Sequence, residues 1–234
     1  ILATTIPQTH SFYGAPWVAS MAGLGSISGP TISQACASGV RSIATALGEM
    51  ELGLGHSALI ISADRTSNGA NLYYPNSQGV GGGGENENWV LDNFSFDPAG
   101  SNAMIDTAEN VARKHNISLD EQHDVVAMRS DQYQKGLMDN SKFHRRFMRI
   151  PFTVPDSRFR KIVCEIESDI GIIPSTAESL SDLRPVLKGG SVTFAGQTHP
   201  ADGNASLIIT TREKSEQISS DASICVKILG IGQS

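Results

Sequence analysis

The residue best placed for chemistry is Cys36. It lies in Thr31-Ile-Ser-Gln-Ala-Cys36-Ala-Ser-Gly39, which runs into Val40-Arg-Ser-Ile-Ala-Thr-Ala-Leu47. An extended apolar segment stops at the cysteine, small residues follow, and a helical pattern begins: Val40, Ile43, Ala44 and Leu47 fall on one helix face. Strand, sharp turn, thiol and helix start form an arrangement that favours a reactive thiol. Free N–H groups and partial positive charge at a helix N-terminus stabilise a thiolate, and the thiolate is the nucleophile. A free cysteine is also among the most buried residue types. The local pattern alone divides evenly between a nucleophile and a structural core residue.

Other stretches invite chemical readings that hold less well. Gly79-Val-Gly-Gly-Gly-Gly84 suggests a phosphate-cradling loop, but no Gly-Lys-Ser/Thr ending follows; the acidic Glu85-Asn-Glu87 does. A flexible excursion is the better reading. Lys142, Arg145, Arg146, Arg149, Arg158, Arg160 and Lys161 stand out as basic in a chain of net charge −6. A solvated face is the better reading of such a run; the functional alternative is a site for a phosphorylated ligand. Cys36, Cys164 and Cys225 are odd in number and widely spaced, which fits neither a disulfide framework nor a zinc cluster and suits a reducing compartment. The sequons at Asn93, Asn116 and Asn204 then carry no meaning.

These residues need elements to position them. A chain of 234 residues suffices for one large domain or one domain with a substantial insertion. Apolar content of 39% and charged content of 18% are those of an ordinary globular protein. The net negative charge argues against a nucleic-acid surface built on overall charge. No apolar run is long enough to span a membrane, and the first residues lack a signal peptide's basic and apolar regions.

In chain order, Ile1–Ile6 reads as a strand and 15–24 as a short helix with Pro16 in its first turn. Thr31–Ala35 is a short strand, then comes the helix after Cys36, ended by Gly53 and Gly55. Gly48 inside that helix suggests close packing. Ser57–Ala63 is an apolar run that fits a strand buried on both faces, completing a β-α-β unit with mainly parallel neighbours. A helical stripe of Met104, Ala108, Val111 and Ala112 follows, turns at His115-Asn116, and gives way to a second helix opened by the capping box Ser118-Leu-Asp-Glu121. Val126, Tyr133 and Leu137 mark its inner face. Val163–Ile166, Ala205–Thr210 and Ile224–Leu229 read as strands.

Several of these motifs together resemble the thiolase family. Ser33-Gln-Ala-Cys36-Ala-Ser-Gly39-Val is similar to its nucleophile elbow, and Thr107-Ala-Glu-Asn-Val-Ala112 to its Thr-Ala-Glu-Asn helix. Ser118-Leu-Asp-Glu-Gln122 resembles the segment that follows that helix. Leu183-Arg-Pro185, Val192-Thr193 and Asp202-Gly203-Asn-Ala-Ser resemble the family's Leu-Arg-Pro, Val-Thr-Ala-Gly-Asn and Asp-Gly-Ala-Ala elements, in the same order. A ketoacyl-synthase relationship fits the Thr-Ala-Glu-Asn and Asp-Gly-Asn-Ala segments less well.

The resemblance implies an α/β fold, the thiolase-like layered α-β-α-β-α arrangement with an inserted, mainly helical loop domain. Residues 1–64 and 191–234 would form the N-terminal α/β core, lacking the family's first strand and helix, and 65–190 the loop domain that covers coenzyme A. It implies acyl transfer between CoA thioesters through an acyl-cysteine on Cys36, with coenzyme A or acyl-CoA as substrate and no permanently bound cofactor or metal. Thr198 falls where the family often has a serine near the pantetheine arm, His199 lies in the same loop, and Ser179, four positions before Leu183, falls near the nucleotide end of CoA. Phe194-Ala-Gly-Gln197 departs from the family's Thr-Ala-Gly-Asn pattern. Thr198-His199-Pro200 is not read as the family's catalytic Gly-His-Pro, because it sits in the pantetheine-loop segment and close in sequence to Cys36. That histidine and the second cysteine of Cys-x-Gly-Gly-Gly are expected in a C-terminal half beyond these residues, and Cys164 and Cys225 read as structural. The resemblance further implies a cytoplasmic homodimer or homotetramer with no nucleic-acid or membrane partner. The alternative is a non-catalytic acyl-CoA or lipid-binding thiolase-like protein.

Overall fold

The computed structural model describes residues 1–198 and 201–233. It holds two compact units, Ile1–Ser95 with Pro200–Ser234, and Phe96–His199. The elements in chain order are β1 (Leu2–Ala3), α1 (Ala15–Met21), β2 (Thr31–Ile32), α2 (Ser38–Glu51), β3 (Ser57–Asp64), β4 (Asn71–Pro75), β5 (Gly84–Asn88), α3 (Leu91–Ser95), α4 (Met104–His115), α5 (Leu119–Ser141), β6 (Phe152–Pro155), β7 (Ile162–Ile166), α6 (Ala177–Ser181), β8 (Gly203–Thr210) and α7 (Arg212–Ile218).

The first unit is built on a four-stranded sheet in the order β2-β1-β3-β8. β1 runs parallel to both neighbours, so β2 and β3 flank it as the expected β-α-β unit requires. β8 pairs antiparallel with β3 along its whole length, from Ser57↔Thr210 to Asp64↔Gly203. Ile60 and Ile209 are buried with Ala46 of α2, and Ile43, Leu47, Met50 and Ala58 pack against them. The cross-strand pair Leu59 and Ile208 faces the other way and stays exposed. Among the described residues β3 and β8 are thus fully covered only on the face where α2 packs, and the other face is left partly open. At the end of β3, Asp64 fastens the chain after β1. Its carboxylate accepts from the Thr4 hydroxyl (2.7 Å), the Thr5 amide (2.9 Å) and hydroxyl (2.8 Å), and the Ile6 amide (3.1 Å).

The helix after Cys36 packs Ile43 and Leu47 of the expected face against the core, but its most buried row is offset from them. Val40 is exposed, and Ser38, Ser42 and Ala46, at four-residue spacing, are buried. Small side chains let the helix backbone approach the sheet: a Cβ on Gly39 would lie 3.3 Å from Ser62 Oγ. Gly48 has open space around its Cβ position, so packing does not explain it. The glycine-rich stretch is more ordered than an excursion. It closes the hairpin β4–β5, where a Cβ on Gly84 would meet the Tyr74 carbonyl at 2.5 Å. The expected strand at Ile224–Leu229 does not form. The backbone there is irregular, with Val226 and Leu229 exposed, because no neighbouring strand supplies a ladder among the described residues.

In the second unit, α4 ends at Asn116, whose left-handed φ of 54° turns the chain as an αL cap. Ser118 then opens α5 through the capping box: the Glu121 amide donates to its hydroxyl at 3.2 Å, and its own amide donates to the Glu121 carboxylate at 2.7 Å. Regular helix stops near Leu137, since Asp139, Asn140 and Ser141 take left-handed conformations. The inner face of α4 carries Glu109 and Ala112, whereas Met104 and Val111 of the expected stripe are exposed. A polar residue in that face is why an apolar-only pattern misplaces it. β6 and β7 form an antiparallel hairpin.

Candidate active site

Cys36 sits between β2 and α2, in the first unit, with its side chain exposed and free. The turn that presents it has a left-handed alanine, Ala35 at φ 44°, a conformation that costs a non-glycine residue about 1 kcal/mol or more. Hydrogen bonds hold it there. The Ala37 amide donates to the Gln34 carbonyl (3.0 Å) and the Ser38 amide to the Ala35 carbonyl (3.1 Å). The Ser38 hydroxyl, 6% exposed, works in both directions: it donates to the Ala35 carbonyl and accepts from the Gln34 amide, each at 2.7 Å. Arg41, one turn into α2, donates from Nε to Gln34 Oε1 at 2.6 Å. The thiol thus stands at the tip of a turn whose backbone is fixed from inside the helix. Such a thiol can attack a carbonyl carbon that approaches from solvent.

Ser179 and Thr198 lie in the second unit. Ser179 is exposed on the short helix α6, where its hydroxyl accepts from the Thr176 amide (2.9 Å) and donates to the Thr176 carbonyl (3.0 Å). That hydroxyl is already engaged as the third residue of a capping box. Thr198 is exposed in irregular chain after a 3-10 turn at Phe194–Gly196. His199 lies outside the described residues. Of the basic run, Arg145 is used internally, donating to the Asn140 carbonyl (2.7 Å), the Asn140 side chain (3.1 Å) and the Ile150 carbonyl.

Sequence reasoning passed over a polar clasp in this unit. Glu109 of α4 is 5% exposed. Its Oε1 accepts from the amides of Ser191 (2.8 Å) and Val192 (2.7 Å), and its Oε2 from the Ser191 amide (3.0 Å) and hydroxyl (3.3 Å). The Val192 amide, aided by Ser191 and Arg113, holds this carboxyl below its ordinary pKa against the opposing effect of burial. From α5, Gln122 Nε2 donates to Ser191 Oγ (3.0 Å), and His123 Nε2 lies 3.0 Å from the Oγ1 of Thr193, itself 1% exposed. The available signal was the Glu in Thr107-Ala-Glu-Asn, noted as part of a motif but given no role.

Comparison with known proteins agrees with the fold. The sequence matches the family described as "Thiolase, N-terminal domain" over residues 11–213. A 3-ketoacyl-CoA thiolase B, peroxisomal, of Mus musculus is 31% identical over 114 residues, which is 48% of this chain and 27% of that protein. The crystal structure of the Bacillus anthracis acetyl-CoA acetyltransferase superposes with a TM-score of 0.73 at 27% identity, over 92% of this chain and 54% of that one. Human mitochondrial 3-ketoacyl-CoA thiolase in complex with CoA gives a TM-score of 0.77 over 92% of this chain and 53% of that one; at 22% identity it speaks to the fold alone. An α/β chain with this elbow and these neighbours belongs to the thiolase family. It spans about half the length of the solved relatives it matches.

Proposed function

We propose that the chain is the nucleophile-bearing and CoA-loop portion of a thiolase-type acyl-CoA acyltransferase. The Cys36 thiolate attacks the thioester carbonyl of an acyl-CoA. The bond from acyl carbon to Cys36 sulfur forms, the bond to CoA sulfur breaks, and the CoA thiolate leaves and takes up a proton. A second thioester, at its α-carbon after losing a proton there, or the CoA thiolate then bonds to the acyl carbon; the bond from that carbon to Cys36 sulfur breaks, and Cys36 leaves as the thiolate and takes up the released proton. A thiolate suits both halves, because the thioester made and the thioester broken are close in energy. The insertion between β3 and β8, residues 65–190, covers coenzyme A in this reading, with Thr198 and His199 beside the pantetheine arm and Ser179 toward the nucleotide. The complete protein would act as a homodimer or homotetramer in the cytoplasm. The exposed Cys36 thiol at the tip of a braced strand–helix turn, in a chain of this family, is the observation that carries the proposal.

Incubation of the protein with acetyl-CoA, followed by peptide mass spectrometry, should find an acetyl group on Cys36 and none in a Cys36→Ala variant. An equal acetyl load on that variant would refute the proposal. Tight CoA binding without any acyl-cysteine would favour the second reading, a non-catalytic acyl-CoA-binding protein.

A further inference from the structure

We propose that Glu109 is the positioning residue of the 190–198 loop, setting the place of the stretch that ends at Thr198 without itself touching the ligand. The ligand half of this rests on the reading that the loop faces the pantetheine arm.

The clasp is specific in a way that space-filling is not. Burying a carboxylate is costly unless its acceptors are filled, and an apolar side chain would fill the same gap more cheaply. Here both oxygens of Glu109 are spent on the backbone and side chain of Ser191 and Val192. The approach is so close that a Cβ on Gly190 would lie 2.3 Å from Glu109 Oε1, so any side chain there would push the carboxylate out of the clasp. Gln122 and His123 hold the next points along the loop, Ser191 Oγ and Thr193 Oγ1. From Thr193 the chain coils into a tight turn, with the Gly196 amide donating to the Thr193 carbonyl and the Gln197 amide to the Phe194 carbonyl, each at 3.2 Å. The turn is rooted in the clasped residues. Shifting Ser191–Thr193 therefore carries Phe194–Gln197 with it, and Thr198 follows directly.

The test uses the full chain with Glu109→Gln, which keeps the side chain's volume but turns one acceptor into a donor. Gly136→Ala is the control: its Cβ would strike His144 Cε1 at 2.8 Å in the same unit, and His144 is bonded to the Gly136 carbonyl rather than to the loop. Two quantities are read: amide exchange protection at Ser191 and Val192, and CoA affinity by calorimetry. Glu109→Gln should lose about tenfold or more in both, the equivalent of one charge-assisted hydrogen bond. Gly136→Ala should keep parental affinity. Protection in the parent should also fall on acidification as the carboxylate protonates, while Glu109→Gln shows no such step. Unchanged protection in Glu109→Gln, or an affinity loss no larger than in Gly136→Ala, would overturn the proposal. A parent chain that does not bind CoA would refute the reading of the loop and the ligand half with it, and the exchange rates would still decide whether Glu109 holds Ser191 and Val192.

Discussion

Two serines on α2, one turn apart, should respond in opposite ways to the same change. Ser38 donates one hydrogen bond and accepts another, both at 2.7 Å, and together they brace the turn that carries Cys36. Each such bond contributes about 0.5–1.5 kcal/mol net. Alanine is the better helix former by about 0.5 kcal/mol. Gln34 is exposed, so its released amide can find water. The expected cost of Ser38→Ala is then about 0.5–2.5 kcal/mol. Ser42 is fully buried, and its hydroxyl has no hydrogen-bond partner among the described residues. A buried hydroxyl without a partner is itself unfavourable, so Ser42→Ala should be neutral or stabilising by up to about 1 kcal/mol. Trp17 and Trp89 both lie in the first unit, so tryptophan fluorescence during urea unfolding reports that unit selectively. The reasoning fails if the two variants lose equal stability, or if Ser42→Ala is the worse. Ser38→Ala should also slow acylation of Cys36 by acetyl-CoA, since the bonds it removes hold the left-handed turn at Ala35, and Ser42→Ala should not.

Ile60→Ala should cost about 2–5 kcal/mol by urea unfolding, because Ile60 is 1% exposed and packs with Ala46 and Ile209 at the centre of the first unit. Gly69→Ala should cost about 1–3 kcal/mol, since its Cβ would lie 2.5 Å from Val90 Cγ2, and Val90→Ala in the same chain should recover part of that loss. Acid should expose the carboxylates held below their ordinary values: Glu109 by the Val192 amide, and Asp202 by the Ser67 hydroxyl and amide. A depressed folded-state pKa contributes stability that is complete above the unfolded value, about 4 for these groups, and is lost as pH falls through the folded one. Unfolding midpoints should therefore show no pH dependence from these two groups between pH 6 and 8, where their contribution is complete, and a decline below roughly pH 4, shallower in Glu109→Gln; a parental slope in that variant would refute the assignment.

What could be read in the sequence was what short-range chemistry encodes. The capping box at Ser118 and Glu121 and the corner at Asn116 depend on neighbours within a few residues, and both stand where expected. So does the strand–turn–helix around Cys36. The faces of the helices were less legible. In α2 the apolar stripe containing Val40 was the obvious choice, yet the buried row is Ser38, Ser42 and Ala46, because closeness to the sheet favours small side chains over apolar ones. In α4 the inner face carries a carboxylate whose partners lie more than eighty residues away, with a sequence separation of 82 to Ser191 and 83 to Val192. No window of periodicity spans that distance. Ile224–Leu229 has a strand's composition, but a strand also needs a neighbour to pair with, and composition does not say whether one is present.

Both turns singled out for function are held by polar side chains turned inward. Ser38 fixes the one at Cys36 and Glu109 the one at Ser191, each within its own unit. Apolar burial is non-directional and tolerates small shifts, whereas a hydrogen bond loses strength within a few tenths of an ångström and tens of degrees. A turn braced this way is specified in position more than it is strengthened. Substitutions at Ser38 and Glu109 should therefore lower acylation or CoA affinity by more than their stability cost predicts, while Ile60→Ala should do the reverse, losing stability first and function only as the fold is lost.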